Sequence, residues 1–162
     1  MTRIELLADH VDLLPLLAEW HFREWSHLTP GETLADTVHR LRDAARRGGV
    51  PSTFVALADD ELIGSASLVA HDMEIRIDLS PWLAGVYVAP AHRRRGIGSL
   101  LVRRVVQEAH DLGVPRAFLY TTGPENERFY AGLGWSVRER AEYRGKLRVI
   151  MQIDVAGPRV DR

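Results

Sequence analysis

A short apolar run that passes through a glycine-containing turn into an amphipathic helix constrains the fold of this chain more than any other stretch. Residues 82–88 are apolar and partly β-branched, which is typical of a buried strand. Pro90 ends the run because proline cannot donate to a strand ladder. A helix is predicted after Pro90, and Gly113 and Pro115 mark its predicted end. Its apolar residues fall on one predicted helical face: Ile97, Leu100, Leu101, Val105, Ala109 and Leu112.

The turn between this strand and this helix carries groups that can bind an anion. Gly96 and Gly98 have no Cβ, so a ligand can approach their backbone closely. The N–H groups at a helix N-terminus lack intrahelical partners, and the helix dipole adds partial positive charge there. Residues 93–95 are three consecutive arginines. Together these features predict a pyrophosphate site, although a glycine turn beside a solvated arginine run has the same sequence.

The pattern Arg93-x-x-Gly96-x-Gly98 after a strand resembles the acetyl-CoA loop of the GNAT N-acetyltransferase superfamily, which is Gln/Arg-x-x-Gly-x-Gly/Ala. A dinucleotide-binding fingerprint needs another Gly or Ala where Leu101 stands, and the Gly-Lys-Ser/Thr of a Walker loop is absent. A second stretch, residues 126–135, resembles the later motif of the superfamily. In that motif a helix carries Asn and then Phe-Tyr, and ends in Leu-Gly followed by an aromatic residue.

The order of the predicted elements, β-α-α-β-β-β-α-β-α-β-β, is also that of the GNAT fold. The resemblance implies an α/β (α+β) protein with a mixed, mostly antiparallel central sheet. It further implies a splayed parallel strand pair and about four flanking helices. A single GNAT-like acyltransferase domain is expected over residues 1–155, followed by a flexible tail over residues 156–162.

Local patterns add two expectations about helices. Residues 29–32, Thr-Pro-Gly-Glu, predict a capping box in which Thr29 caps a helix and Glu32 reaches back to it. That helix is expected to end near residues 48–49. Later in the chain, Phe129 and Leu133 lie four residues apart and are expected to be core.

Composition excludes several classes of protein and site. The formal net charge is -1, and the chain has no second basic stripe, which argues against a nucleic-acid partner. No apolar stretch approaches the roughly 20 residues that span a bilayer, so we expect a cytoplasmic protein without a membrane partner. The absence of cysteine excludes disulfides, thiolate metal ligands and a cysteine nucleophile. The implied chemistry also needs no metal.

The resemblance implies where acetyl-CoA, the co-substrate, would bind. It would lie between the strands that end at Val88 and Thr121, and the pantetheine amides would pair with strand backbone. A backbone N–H near Val86 or Tyr87 would stabilise the oxyanion, and Tyr130 would be the general acid that protonates the leaving thiolate. The implied acetyl-CoA-binding residues are Val86, Val88, Arg93, Arg94, Arg95, Gly96, Ile97, Gly98, Ser99 and Asn126.

The general base stays open, because residues 82–88 contain no carboxylate. Each candidate can equally be a solvated charge or a helix cap. The acceptor stays open as well, and small-molecule or peptide amines are all compatible, including an aminoglycoside, a polyamine, a lysine or a peptide N-terminus. The resemblance also allows a homodimer. The candidate bases are His21, Glu24, Asp72, Glu74 and Asp78.

Two other classes of function remain alternatives to an enzyme. A non-catalytic acyl-CoA-binding or sensor module would keep the loop at residues 93–99 but would not need Tyr130. A nucleic-acid-binding domain would use the three arginines of residues 93–95.

Overall fold

The computed structural model describes residues 1–155, so the tail expected at residues 156–162 lies outside the described residues. The strands are β1 (Thr2–Leu6), β2 (Ser52–Ala58), β3 (Glu61–Val69), β4 (Trp82–Val88), β5 (Arg116–Thr121), β6 (Ser136–Tyr143) and β7 (Lys146–Asp154). The α-helices are α1 (Leu14–Trp25), α2 (Leu34–Asp43), α3 (Ile97–Asp111) and α4 (Pro124–Ala131).

All of these strands form one sheet in the order β1-β2-β3-β4-β5-β7-β6. Only β4 and β5 run parallel, and every other described neighbouring pair is antiparallel. Parallel neighbours need a crossover connection, and α3 supplies it by connecting β4 to β5 across one face of the sheet. The expected mixed, mostly antiparallel sheet with four flanking helices is therefore confirmed.

Alternating side chains of the central strands give the sheet two buried faces. Phe54 and Ala56 of β2 pack with α3 residues such as Leu101, whereas Val55 and Leu57 pack with α1 and α2. Two separate groups of elements pack on this second face. The α1–α2 pair packs on β2 and β3, and the connection from β3 to β4 closes an aromatic cluster on the other strands. That cluster consists of Met73, Leu79, Trp82, Phe118, Tyr143 and Ile150. The boundary between the α1–α2 pair and the β3–β4 connection therefore lies over the middle of the sheet.

The parallel pair is joined only at the beginning of β4 within the described residues. Trp82 is the register partner of Phe118, and the Phe118 N–H donates to the Pro81 carbonyl at 3.0 Å. Towards Val88 and Thr121 the two strands have no register partners in each other. The expected splay of β4 from β5 is thus confirmed, and it leaves strand backbone unpaired at this end.

A bulge in β4 lies at the start of the splay. Ser65 pairs with Tyr87 and Ser67 pairs with Ala84, so two β4 residues, Gly85 and Val86, face a single residue of β3. Gly85 has a φ of +62°, a left-handed conformation that glycine adopts without a steric penalty.

The expected capping box at residues 29–32 is wrong. Gly31 has a φ of +90°, which interrupts a helix, and the Glu32 carboxylate pairs with Arg40 instead of reaching back. A capping box forms four residues later, where Thr33 Oγ1 accepts from the Asp36 N–H at 3.2 Å and Asp36 Oδ2 accepts from the Thr33 N–H at 2.9 Å. The helix that this box opens, α2, ends at Asp43, before the expected residues 48–49.

Three residues expected to be buried are exposed. Leu100 and Leu112 are 43% and 44% exposed. Leu100 lies at the flank of the stripe formed by Ile97, Leu101 and Val105, and Leu112 follows the last residue of α3. Phe129 is 37% exposed, because it faces Gly98 at the surface instead of the core.

Candidate functional site

The turn before α3 exposes its backbone at the N-terminus of a 15-residue helix. Gly96 is the N-cap with φ 78° and ψ 8°, and Arg94 is also left-handed with a φ of 63°. Ile97 is buried and anchors the start of the helix, whereas residues 93–96 are exposed. The turn therefore combines unpaired N–H groups, the positive end of the helix dipole and guanidinium charge at the surface.

Arg93 ties this turn to the end of β4. Its Nε donates to the Val88 carbonyl at 2.8 Å, and its guanidinium lies 5.6 Å from the centre of the Tyr87 ring. Arg93 therefore supports the geometry of the turn, while Arg94 and Arg95 extend into solvent.

Helix α4 lies at the end of the other splayed strand. Asn126 Nδ2 donates to the Thr122 carbonyl at 2.9 Å, one residue beyond β5. Tyr130 turns inward from the exposed Phe129 and packs against the core on the α3 face, with its ring 6.3 Å from that of Trp135. Burial raises the pKa of Tyr130 to about 12, so its hydroxyl carries a proton at any physiological pH.

On the other face of the sheet, a buried imidazole contacts the bulge through one serine. His21 Nε2 lies 2.8 Å from Ser65 Oγ, and Ser65 Oγ donates to the Gly85 carbonyl at 3.0 Å. His21 also packs edge-on against Trp25 with the ring centres 4.9 Å apart. Burial, with a smaller contribution from the charge of Arg40, lowers the pKa of His21 to about 4. The imidazole is therefore neutral at physiological pH.

Asp72 stands apart from the other carboxylates predicted as bases. Burial raises its pKa to about 7, and the charge of Arg40 opposes part of this shift. Glu74 instead pairs with Arg144 at 3.2 Å and is largely exposed.

Asp78 and Glu24 also differ from Asp72. Asp78 pairs with Arg76 at 2.9 Å, and hydrogen bonds from Arg76 lower the pKa of Asp78. Glu24 is exposed on α1. Asp72 is therefore a half-buried candidate base whose pKa lies close to neutral.

Tyr120 is close enough to Asp72 and to Arg148, a buried arginine of β7, for both charges to act on it. Burial raises the pKa of Tyr120 to about 12; the Asp72 charge adds to this rise, and the Arg148 charge opposes it. The Arg148 guanidinium lies 6.0 Å from the centre of the Tyr120 ring. All three groups therefore share the second face of the sheet, near the open end of β5.

A family model for the GNAT acetyltransferase family matches residues 12–135. The chain belongs to the GNAT acetyltransferase family. A curated relative, aminoglycoside N(6')-acetyltransferase type 1 of Salmonella typhimurium, is 30% identical over 121 residues, which cover 71% of this chain and 75% of that protein.

Solved structures share the fold of this GNAT acetyltransferase at low sequence identity. The protein yncA of Salmonella typhimurium, solved with acetyl-CoA, superposes with a TM-score of 0.72 at 17% identity. The superposition covers 100% of this chain and 98% of the yncA chain. An aminoglycoside 6'-N-acetyltransferase complexed with coenzyme A gives a TM-score of 0.70 at 17% identity, with 93% of this chain and 94% of that one covered. Within residues 1–155, the acetyltransferase has no helix of the length and apolar character that a membrane span requires.

The acetyltransferase fold brings the residues predicted for acetyl-CoA together around the β4–β5 splay. The turn at residues 93–99 follows β4, while Asn126 and Tyr130 lie on the helix that follows β5. Three further polar residues at this end of the sheet were missed from the sequence: Ser65, Tyr120 and Arg148. Strand alternation could have placed Tyr120 on the same face as Phe118, but nothing local marks Ser65 or Arg148.

Proposed function

We propose that this acetyltransferase moves the acetyl group of acetyl-CoA to a primary amine by direct attack of the amine. The observation that carries the proposal is the splay of β4 from β5 beside the exposed, left-handed turn at the N-terminus of α3. One side of this gap offers unpaired strand backbone, and the other offers an anion-binding helix end. No other described part of the chain combines these two features.

The residues around the gap fit a long thioester that ends in a pyrophosphate. The backbone of Val86 and Val88 would pair with the amides of the pantetheine arm, as an added strand does. Residues 94–99 would hold the phosphates through N–H groups and guanidinium charge. Asn126, whose Nδ2 donates to the Thr122 carbonyl, keeps its side-chain oxygen for an amide of the arm.

The Gly85–Val86 peptide is the best placed oxyanion donor. Its carbonyl accepts from Ser65, and because the peptide is trans, its N–H points away from Ser65. A carbonyl that accepts a hydrogen bond polarises the N–H of the same peptide. The Val86 N–H would therefore stabilise negative charge on the thioester oxygen in the transition state.

Asp72 and Tyr130 divide the proton transfers in this proposal. Acetyl-CoA supplies the acetyl group as a thioester. Asp72 would accept the proton of the amine as its C–N bond forms, a role that suits a carboxylate whose pKa is about 7. Tyr130 would donate a proton to the sulfur as the C–S bond breaks. Because the pKa of Tyr130 is about 12, its hydroxyl is protonated and neutral at physiological pH, but it is a weak proton donor.

Turnover of acetyl-CoA with a mixed panel of amines tests the proposal. The panel contains aminoglycosides, because relatives carry that name, together with amino acids, polyamines and peptides. We expect release of free thiol that depends on both acetyl-CoA and one class of amine. Binding of CoA without release of thiol for any amine would instead support a non-catalytic acyl-CoA sensor.

A further inference from the structure

Three arginines near the second face of the sheet, which we call the acceptor side, already have a carboxylate partner. Arg40 pairs with Glu32, Arg76 pairs with Asp78 and Arg144 pairs with Glu74. Two groups differ from this pattern within residues 1–155. Neither Arg148 nor Asp72 takes part in an ion pair there. Their charges act on the pKa of Tyr120 in opposite directions, alongside those of Tyr143 and Arg144. Arg148 and Asp72 therefore offer an unpaired positive and an unpaired negative charge close to Tyr120.

Arg148 is only 7% exposed, yet its hydrogen-bond partners are neutral. Its Nε donates to the Tyr143 carbonyl at 3.0 Å, and its Nη1 donates to Thr122 Oγ1 at 2.8 Å. Its Nη2 has no partner within the described part of the chain. A buried guanidinium without a carboxylate is costly, because the charge loses its hydration and gains no opposite charge. Binding of an anion would offset that cost.

The position of Arg148 connects it to the transfer point. Thr122, which accepts from Arg148, also accepts from Asn126 through its backbone carbonyl at 2.9 Å. Thr122 directly follows β5, one of the two splayed strands. Arg148 thus shares a residue with the proposed binding site of the pantetheine arm.

We propose that Arg148 binds a carboxylate of the acceptor, so that the acceptor of this acetyltransferase is an amine that also carries a carboxylate, such as a free amino acid. The inference rests on the proposed function. Asp72 faces the amine, and Arg148 receives the carboxylate in the forked geometry that guanidinium and carboxylate groups share. The aromatic side chains of Trp25, Tyr120 and Tyr143 supply apolar surface for the rest of the molecule.

The same charges disfavour a polycationic acceptor such as an aminoglycoside. The carboxylates of Glu32, Glu74 and Asp78 are occupied by arginines. A second or third ammonium group close to Arg148 would therefore meet its uncompensated charge, and these three carboxylates are not free to balance the repulsion.

Matched pairs of acceptors test the inference on the wild-type chain. Glycine, leucine and phenylalanine are each compared with their carboxamides, and kanamycin serves as the polycation. We expect kcat/KM to be about 10- to 100-fold higher for at least one carboxylate than for its amide, as a charge-assisted hydrogen-bonded pair predicts. The amide has the less basic amine, so a larger fraction of it is deprotonated near neutral pH; the protonation state of the amine therefore favours the amide and does not produce the expected preference.

Variants then connect the preference to Arg148. Arg148→Gln should bring kcat/KM for the carboxylate close to kcat/KM for its carboxamide, so that their ratio is near one, and should leave the affinity for CoA unchanged. If Arg148→Gln folds poorly, Arg148→Lys takes its place as the test variant. It keeps the charge and should therefore retain part of the preference for the carboxylate. Arg116→Gln is the control, because it removes an arginine paired with Asp154 at 2.8 Å near the other end of β5 and should keep the wild-type ratio.

The outcomes separate this inference from the proposed function. Acetylation of kanamycin or of carboxamides, without a preference for carboxylates, would overturn the inference and leave the proposed function intact. A wild-type preference that survives in Arg148→Gln would also overturn the assignment to Arg148. Absence of turnover with every amine would overturn both.

Discussion

His21 Nε2 lies 2.8 Å from Ser65 Oγ, so that a helix on one side of the sheet holds a strand residue beneath the β4 bulge. The Gly85 carbonyl, 3.0 Å from the same Oγ, can only accept, which means that the Ser65 hydroxyl donates to it. His21 must then donate from Nε2 and keep Nδ1 unprotonated. This tautomer agrees with a pKa lowered to about 4, and it makes His21 a support for the bulge more than a base.

Ser65→Ala should lower kcat without changing the affinity for acetyl-CoA. The substitution removes the hydrogen bond that holds the Gly85–Val86 peptide, whose N–H we propose as the oxyanion donor. Loss of one oxyanion donor costs about 100- to 1,000-fold in kcat, and loss of a group that only orients the donor should cost less. Steady-state kinetics and calorimetric titration with CoA measure the two quantities.

Ser67→Ala is the matched control for Ser65→Ala. Ser67 is a buried serine two residues along the same strand, and its Oγ lies 2.8 Å from Thr53 Oγ1. Both variants should lose about 1 kcal/mol of unfolding free energy. Only Ser65→Ala should lose activity; an equal loss of kcat in both variants would mean that the loss is not caused by removal of the Ser65–Gly85 hydrogen bond.

Gly98→Asp should abolish binding of CoA while the protein stays folded. A Cβ at this position would lie 3.4 Å from Phe129 Cζ and 3.9 Å from Val88 Cγ2, which are contacts that the structure tolerates. The carboxylate would add negative charge in the first turn of α3, where the phosphates should bind. Isothermal titration with CoA and a thermal melt of each protein provide the measurements.

Gly98→Ala separates the steric from the electrostatic effect of that change. It adds the same Cβ without charge, so it should bind CoA more weakly than wild type but more tightly than Gly98→Asp. Normal affinity in Gly98→Asp would place the phosphate site elsewhere.

The sequence predicted the parts of the fold and site that depend on local signals. β4 has the predicted bounds and β5 ends at the predicted Thr121, because an apolar run ends at proline or at a glycine-proline pair. The turn at residues 93–98 was found because glycine spacing determines its backbone. The capping box was misplaced by four residues, since Thr29 and Thr33 offer equivalent caps and the left-handed backbone of Gly31 interrupts a helix that would begin at Thr29. The roles of Ser65, Asp72 and Arg148 depend on burial and on partners distant in sequence, which no local pattern encodes.

Asp72→Asn should alter both stability and the pH dependence of the rate. The pKa of Asp72 is about 7 in the folded chain and 3.8 in the reference state, so the folded state binds more protons between these values. The free energy of unfolding of the wild type should therefore fall, relative to Asp72→Asn, as the pH rises from about 4 to about 7. Urea denaturation at several pH values measures this difference.

The rate should follow the ionisation of the same carboxylate. If Asp72 is the base, wild-type kcat/KM should rise with pH through about 7, because the charged carboxylate is the active form. Asp72→Asn should be slower and lose that rise. Asp78→Asn is the control, because Asp78 is already ionised beside Arg76 and should keep the wild-type profile.

Tyr130→Phe should lower the rate of acetyl transfer and leave the affinity for CoA nearly unchanged. The ring packing against Trp135 is retained, and the hydroxyl has no hydrogen-bond partner within residues 1–155, so stability should change little. General acid catalysis contributes about 100- to 10,000-fold, and a thiolate is a good leaving group, so we expect a fall of about 10- to 100-fold in kcat.

Because the pKa of Tyr130 is about 12, its hydroxyl stays protonated, and the ratio of wild-type to variant rate should be constant between about pH 6 and pH 9. Tyr87→Phe, which removes a hydroxyl from a ring packed on Trp20 and Trp25, should keep the wild-type rate. Rapid-mixing kinetics establish that chemistry limits turnover, and a wild-type rate for Tyr130→Phe under those conditions would show that Tyr130 only packs.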